Sequence, residues 1–269
     1  MFLDTIVDSV RKELDLKRRR TPVSELQDRP LFGLPCRGFT ARLEGKARHI
    51  IAEVKRASPS QGLIRENFDP TEIAEIFESH GASALSVLTE ERFFQGSLLY
   101  LERIKGKVSL PLLRKDFILD SYQLFEARSF GADAVLLIAA LLDPLLLRDL
   151  KNQAQALSLD VMVEVHTEAE LERALGTDVK LIGINNRDLH TFEVKLETTE
   201  RLMPMIPEGI SVVCESGIES TEQIKKLERL GIHIFLVGET LMRATDPGAK
   251  LSELLEGGTR TQFKMQSEK

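Results

Sequence analysis

Glu53 and Lys55 stand two residues apart in the run Ile50-Ile51-Ala52-Glu53-Val54-Lys55, so on a β-strand both project to one side while Val54 projects to the other. A carboxylate and an ammonium on one face form either a structural ion pair or part of a reactive site, and a buried pair persists only with good geometry. A second lysine, Lys115, closes Leu112-Leu113-Arg114-Lys115, where the same alternation aims it away from Arg114 and Asp116. Glu164 ends the otherwise apolar Val161-Met162-Val163-Glu164. A lone carboxylate there is costly unless it is paired or protonated. A lysine and a glutamate that shift each other's pKa by contact and desolvation suit proton transfer. Asn185 and Arg187 add an amide and a guanidinium after a third apolar run, and Glu215-Ser216-Gly217 and Val237-Gly238-Glu239 follow two more.

Such groups need a frame that brings distant segments to one place. From His49 onward, short apolar and β-branched runs alternate with amphipathic stretches, the βαβ signature. The predicted strands are 49–54, 84–88, 110–113, 134–138, 160–164, 181–184, 211–214 and 232–237. The predicted helices are 71–80, 97–105, 121–130, 144–157, 168–175, 198–205, 221–230 and 247–254. The units recur at roughly 20 to 35 residues, the scale of a βαβ module, and about eight of them close a (β/α)8 TIM barrel, an α/β fold. Gly81, Gly131 and Gly231 each fall between a helix and the next strand, as helix-ending turns do. An open doubly wound sheet is the alternative, but no GxGxxG follows the first strand.

In a barrel the catalytic groups occupy the C-terminal strand ends, and a phosphate site commonly forms after the seventh and eighth strands. Gly217 and Gly238 stand at those two positions. There, backbone N–H groups and a helix N-terminus can receive a phosphate. Residues 1–48 read as an N-terminal helical extension covering the barrel mouth, and 49–269 as the catalytic barrel. Within the extension, Leu3, Ile6, Val7, Val10, Leu14 and Leu16 are expected on one helix face, whereas 21–43 is an irregular arm broken by Pro22, Pro30, Gly33, Pro35 and Gly38.

At 269 residues the chain suits one barrel, with 42% apolar residues to fill its core. A net charge of -6 spread over both signs argues against a broad basic face for nucleic acid or anionic lipid. The longest apolar run, 134–142, lies between Asp133 and Asp143, well short of the roughly 20 residues that span a bilayer. Cys36 and Cys214 lack CxxC spacing, which fits reduced thiols in a cytoplasm. His49, His80, His166, His190 and His233 show no paired ligand spacing, so no metal is expected and they read as satisfied or solvated histidines.

The ordered motifs Ala52-Glu53-Val54-Lys55-Arg56-Ala57-Ser58-Pro59-Ser60, Leu113-Arg114-Lys115-Asp116-Phe117, Met162-Val163-Glu164-Val165, Gly183-Ile184-Asn185-Asn186-Arg187-Asp188-Leu189, Glu215-Ser216-Gly217-Ile218 and Leu236-Val237-Gly238-Glu239 resemble, over nearly the whole chain, those of indole-3-glycerol phosphate synthases. The resemblance implies that Lys115 is a general acid assisted by Lys55, that Glu164 moves protons later in the reaction, that Glu53 orients the lysines and that Asn185 holds substrate oxygens. It groups Ser216 with these catalytic residues and sets it beside Glu215 against an anthranilate ring. Phe94, Phe117, Leu136 and Leu189 form that ring's apolar wall. Ser58, Arg187, Gly217 and Gly238 bind the phosphate with Lys55. Glu239, where some relatives carry serine, must point away or be paired. No cofactor is implied, because ring closure itself leaves a cationic intermediate that accepts the electrons of decarboxylation. The expected partner is a small phosphorylated substrate. The chain is expected to be monomeric, in at most weak contact with other tryptophan-pathway enzymes. A phosphoribosylanthranilate isomerase-like barrel, which lacks the strand-one Glu-x-Lys pair and the Lys115 motif, and a non-catalytic metabolite-binding barrel are the alternatives.

Overall fold

A computed structural model describes residues 2–256, so 257–269 of the expected barrel segment lie outside the described residues. Eight parallel strands close on themselves, with the first hydrogen-bonded to both the second and the eighth. In chain order they are His49–Val54, Ala84–Leu88, Leu112–Lys115, Ala134–Ile138, Asp160–Val165, Leu181–Asn185, Ser211–Glu215 and Ile234–Val237. Helices alternate with them, forming the (β/α)8 architecture. Among the described residues no helix is long and apolar enough to cross a membrane.

Strand alternation divides the core in two. Ile51, Leu113, Leu136, Met162, Leu181, Val213 and Leu236 belong to the cluster inside the barrel. Their chain neighbours, among them Ile50, Ala52, Leu112, Leu137, Val163, Ile182 and Val237, pack outward under the helices. Glu53, Lys55, Lys115, Glu164, Asn185, Glu215 and Gly238 share the parity of the inward set.

The third strand begins at Leu112 rather than 110 because Pro111 has no N–H for the ladder and the Leu110 carbonyl accepts from Arg37. It runs on to Lys115, which pairs in register with Leu88. The helix expected over 198–205 is α-helical only over Glu197–Leu202 and tightens into a 3-10 turn, Met203–Met205, around Pro204. Two small elements escape pattern reading: a hairpin pairing Ala57–Ser58 with Gly62–Leu63, and a one-turn helix, Glu239–Arg243, after the eighth strand. Gly81, Gly131 and Gly231 take positive φ at the expected turns.

The N-terminal segment reaches both ends of the barrel. In the helix Phe2–Arg20, Leu3, Ile6, Val10 and Leu14 are buried, Val7 is half-buried, and Leu16 is exposed, contrary to the face expected for it. Two residues beyond Leu14 is about 200° around a helix, which turns Leu16 to solvent. Farther along, Phe39 and Leu43 plug the opposite end of the barrel. There Thr40 donates its N–H to Asp160, the first residue of the fifth strand, at 2.8 Å. Arg37 binds the carbonyls of Lys105, Val108 and Leu110.

Candidate active site

The C-terminal strand ends surround a cavity of about 650 Å³. All the residues singled out from the sequence line it: Glu53, Lys55, Lys115, Glu164, Asn185 and Ser216, together with Ser58, Phe94, Phe117, Leu136, Arg187, Leu189, Glu215, Gly217 and Gly238.

At its floor two lysines meet three carboxylates. Lys115 Nζ lies 2.9 Å from Glu164 Oε2 and 3.6 Å from Glu215 Oε2, and Lys55 Nζ lies 2.6 Å from Glu53 Oε1. Register explains the convergence: Ile138 is level with Glu164, Glu164 with Gly183, and Asn185 with Glu215. Lys115 is aimed inward because its neighbour Arg114 is anchored on the far side of the strand. That buried guanidinium reaches Asp116 at 2.9 Å, Glu126 at 3.1 Å and the Gln123 carbonyl at 2.6 Å.

The cluster sorts its own protons. Burial disfavours charge on Lys115, but the fields of Glu164, Glu215 and Glu53 prevail and hold its pKa above the ordinary lysine value. For Glu164, burial would raise the pKa, yet the Lys115 charge and the His166 ring hold it well below the usual carboxylate range. Glu215 behaves oppositely: burial, joined by repulsion from Glu164, pushes it up to about 8 despite Lys115. At neutral pH the floor therefore holds a charged lysine, an ionised Glu164 and a protonated Glu215.

Asn185 donates from Nδ2 to Glu164 Oε1 at 3.2 Å, and its Oδ1 accepts from Ser216 Oγ at 2.9 Å and from the Arg187 N–H at 3.0 Å. Ser216 and Gly217 both take left-handed backbone, with φ of 65° and 85°. For serine that costs on the order of 1–3 kcal/mol. Asn186, to which the sequence reading assigned no role, holds this turn in place. Its Nδ2 donates to the Glu215 and Ser216 carbonyls at 2.9 and 3.1 Å, and its Oδ1 accepts from Thr199 Oγ1 at 2.8 Å. The only sequence signal was an amide beside Asn185 with the opposite parity.

One end of the cavity is apolar. The rings of Phe94 and Phe117 lie 6.0 Å apart at 43°, and Leu136, Leu189 and Ile138 stand nearby. Leu3 and Ile6 of the N-terminal helix join this wall, a contribution that helical periodicity identified only as packing. Buried Glu90 shapes the loop before it by accepting the N–H groups of Phe93 and Phe94 at 2.7 and 3.0 Å.

The other end is cationic and glycine-lined. Arg187 donates to Ser60 Oγ at 3.4 Å and pairs with Glu239 at 3.1 Å. Glu239 also faces Arg243 Nε at 3.3 Å, and Arg243 bonds Gln61. Glu239 is thus paired, the alternative that keeps a carboxylate tolerable here. A Cβ at Gly217 would lie 2.7 Å from Val194 Cγ1, and one at Gly238 would lie 2.2 Å from Glu53 Oε1. A side chain at either place would displace Val194 or Glu53, and with glycine the backbone faces the cavity. Among the described residues no group of three or more His, Cys, Asp and Glu could hold a metal ion.

The family model for indole-3-glycerol phosphate synthase matches residues 3–254. An indole-3-glycerol phosphate synthase of Dehalococcoides mccartyi strain CBDB1 is 49% identical over 259 residues, covering 95% of this chain and 100% of that protein. Its counterpart in strain BAV1 is 48% identical over the same shares. Among solved structures, the 3-hexulose-6-phosphate synthase of Salmonella typhimurium superposes with a TM-score of 0.62 at 13% identity, covering 77% of this chain and 96% of that one. KGPDC from Streptococcus mutans superposes with a TM-score of 0.60 at 11% identity, covering 77% and 95%. At those identities the two structures share the fold.

Proposed function

The chain belongs to the indole-3-glycerol phosphate synthase family, and we propose that the two ends and the lysine–carboxylate floor of its cavity divide that family's reaction among named residues. The enzyme is a decarboxylating carbon–carbon lyase of tryptophan biosynthesis. It closes 1-(2-carboxyphenylamino)-1-deoxyribulose 5-phosphate to indole-3-glycerol phosphate with loss of CO2 and water. The observation that carries the assignment is the 2.9 Å contact of Lys115 with Glu164 between an apolar wall and an arginine-lined glycine cradle.

The substrate's anthranilate ring lies against Phe94, Phe117, Leu136 and Leu189, with Glu215 and Ser216 at its polar edge. Its phosphate is held by Arg187, Ser58 and the backbone at Gly217 and Gly238, with Lys55 in reach. Ring closure joins the carboxyl-bearing ring carbon to the ketone carbon, and Lys115 protonates the ketone oxygen as it gains charge, with Lys55 adding field. The ring, made cationic through its nitrogen lone pair, takes up the electron pair released as CO2 leaves. Glu164 then takes the proton from carbon and passes it to the departing hydroxyl, which leaves as water as the ring becomes aromatic. Asn185 holds the oxygens, and Glu53 orients the lysines.

One chain carries this whole set, which supports action as a monomer. A cytoplasmic location accords with a biosynthetic role. The two lysines on separate strand ends favour the synthase over an isomerase-like or non-catalytic barrel. Incubation of the purified protein with the carboxyphenylamino substrate, followed by indole fluorescence, tests the reading. A signal that grows with enzyme and is lost in Lys115→Met is expected, and a protein that yields no indole product refutes it.

A further inference from the structure

His166 stands beside the reactive cluster without lining the cavity. It follows the fifth strand, two residues after Glu164, and the next helix, Glu168–Leu175, grips it. Glu170 Oε2 accepts the His166 backbone N–H at 2.8 Å and faces ring Nδ1 at 3.1 Å. The other ring nitrogen, Nε2, is buried, makes no hydrogen bond among the described residues, and faces Glu164 Oε1 across 3.4 Å. A neutral imidazole donates from one nitrogen only. A ring presenting both nitrogens to carboxylates is satisfied on both sides only as the imidazolium.

This matters because of what happens to Glu164 during turnover. Before reaction its counter-charge is Lys115. Once Lys115 has given its proton to the ketone oxygen, Glu164 is a buried anion whose neighbours apart from His166 are the neutral amide of Asn185 and the carboxyl of Glu215. An uncompensated buried carboxylate takes up a proton and ceases to be a base. We propose that His166 is a positioning residue for this reaction, a second cation beside Glu164 that keeps it ionised after Lys115 has been discharged. The inference rests on the roles given above to Lys115 and Glu164.

The surroundings of His166 agree. Glu170 faces it from the following helix, Glu164 and Glu215 from the barrel, and Arg201, which donates to the His166 carbonyl, is itself paired with Glu168 at 2.6 Å. Burial opposes the imidazolium, but the flanking carboxylates of Glu164 and Glu170 outweigh it and push the ring's pKa up to about 10. His166 therefore stays charged throughout the neutral range in which Glu164 works.

The test is the pH dependence of kcat and KM for the full-length enzyme, His166→Gln and Glu164→Gln. Removing the cation raises the pKa of Glu164, so the acid limb of kcat should move to higher pH in His166→Gln. At neutral pH kcat should fall about tenfold or more, recovering as pH rises, while KM stays within about twofold. An unshifted limb with near wild-type kcat overturns the proposal. So does a loss of kcat that is the same at every pH and accompanied by a lower melting temperature, since that describes a merely structural residue. The imidazole can also be titrated by NMR in the unmutated enzyme, where a neutral His166 ring at pH 7 is equally fatal. If Glu164→Gln keeps its turnover, the assignment of Glu164 falls and takes the proposal with it. If Glu164→Gln is inactive and His166→Gln matches wild type, only the proposal falls.

Discussion

The carboxyl group of Glu215 occupies the place where a side chain at position 183 would begin: a Cβ built on Gly183 lies 2.0 Å from Glu215 Oε1. Glycine inside a strand often marks such a close approach. Gly183 sits in the ladder between Glu164 and Val213, so its missing side chain opens the floor where the carboxylates gather. Gly183→Ala should push Glu215 toward Lys115. The expected result is a kcat lowered at least about tenfold and a stability loss of about 1–3 kcal/mol, the usual cost of overpacking. Steady-state kinetics and a denaturant midpoint check both, and an alanine variant indistinguishable from wild type would show that the floor has slack.

The proton donor and the proton acceptor at the floor should fail differently from a structural pair. Lys115→Met and Glu164→Gln are each expected to lower kcat by about 10²- to 10⁴-fold while a product analogue still binds. Glu164→Gln also removes the charge that repels Glu215, so its denaturant midpoint should change little. Breaking a structural buried pair would instead destabilise by about 3–5 kcal/mol. A Glu164→Gln enzyme that is active but fragile assigns Glu164 to the scaffold and moves the test to Glu53.

Glu215 makes stability depend on pH in a definite direction. Its pKa is raised from 4.5 to about 8, so between those values the folded protein holds a proton that the unfolded chain has released. Stability from this group is therefore present below the lower value and declines as pH rises through the interval. Thermal midpoints of wild type should fall across that window more steeply than those of Glu215→Gln. Parallel curves would mean that Glu215 titrates normally.

Inorganic phosphate should compete with substrate at the Arg187 end of the cavity, and Glu239 should weaken it. Pairing at 3.1 Å sets the Glu239 carboxylate against any anion for the same guanidinium. Glu239→Gln should tighten phosphate inhibition about 1.5- to fivefold at constant ionic strength, the scale of a partly exposed charge pair. A Ki that stays the same or weakens would give Glu239 the opposite role, that of holding Arg187 in position.

The inward direction of Glu53, Lys55, Lys115, Glu164, Asn185 and Glu215 was legible in the sequence, because strand parity is a property of the local backbone and the apolar residues around each group declare it. The eight-fold alternation of strands and helices was legible for the same reason, and it placed those groups at one end of a barrel. Helical periodicity likewise identified Leu3, Ile6, Val10 and Leu14 as one face, whereas Leu16, about 200° of helix rotation beyond Leu14, is exposed and does not belong to it. Tertiary structure alone decided that Lys115 pairs with Glu164, that Glu239 reaches Arg187, and that His166 stands between Glu164 and Glu170. It alone decided that Glu215 keeps its proton while Glu164 loses it. The contacts of Lys115 with Glu164 and of Arg187 with Glu239 join side chains tens of residues apart. The charge each group carries depends on burial and on the summed field of its neighbours, which exist only once the barrel has closed.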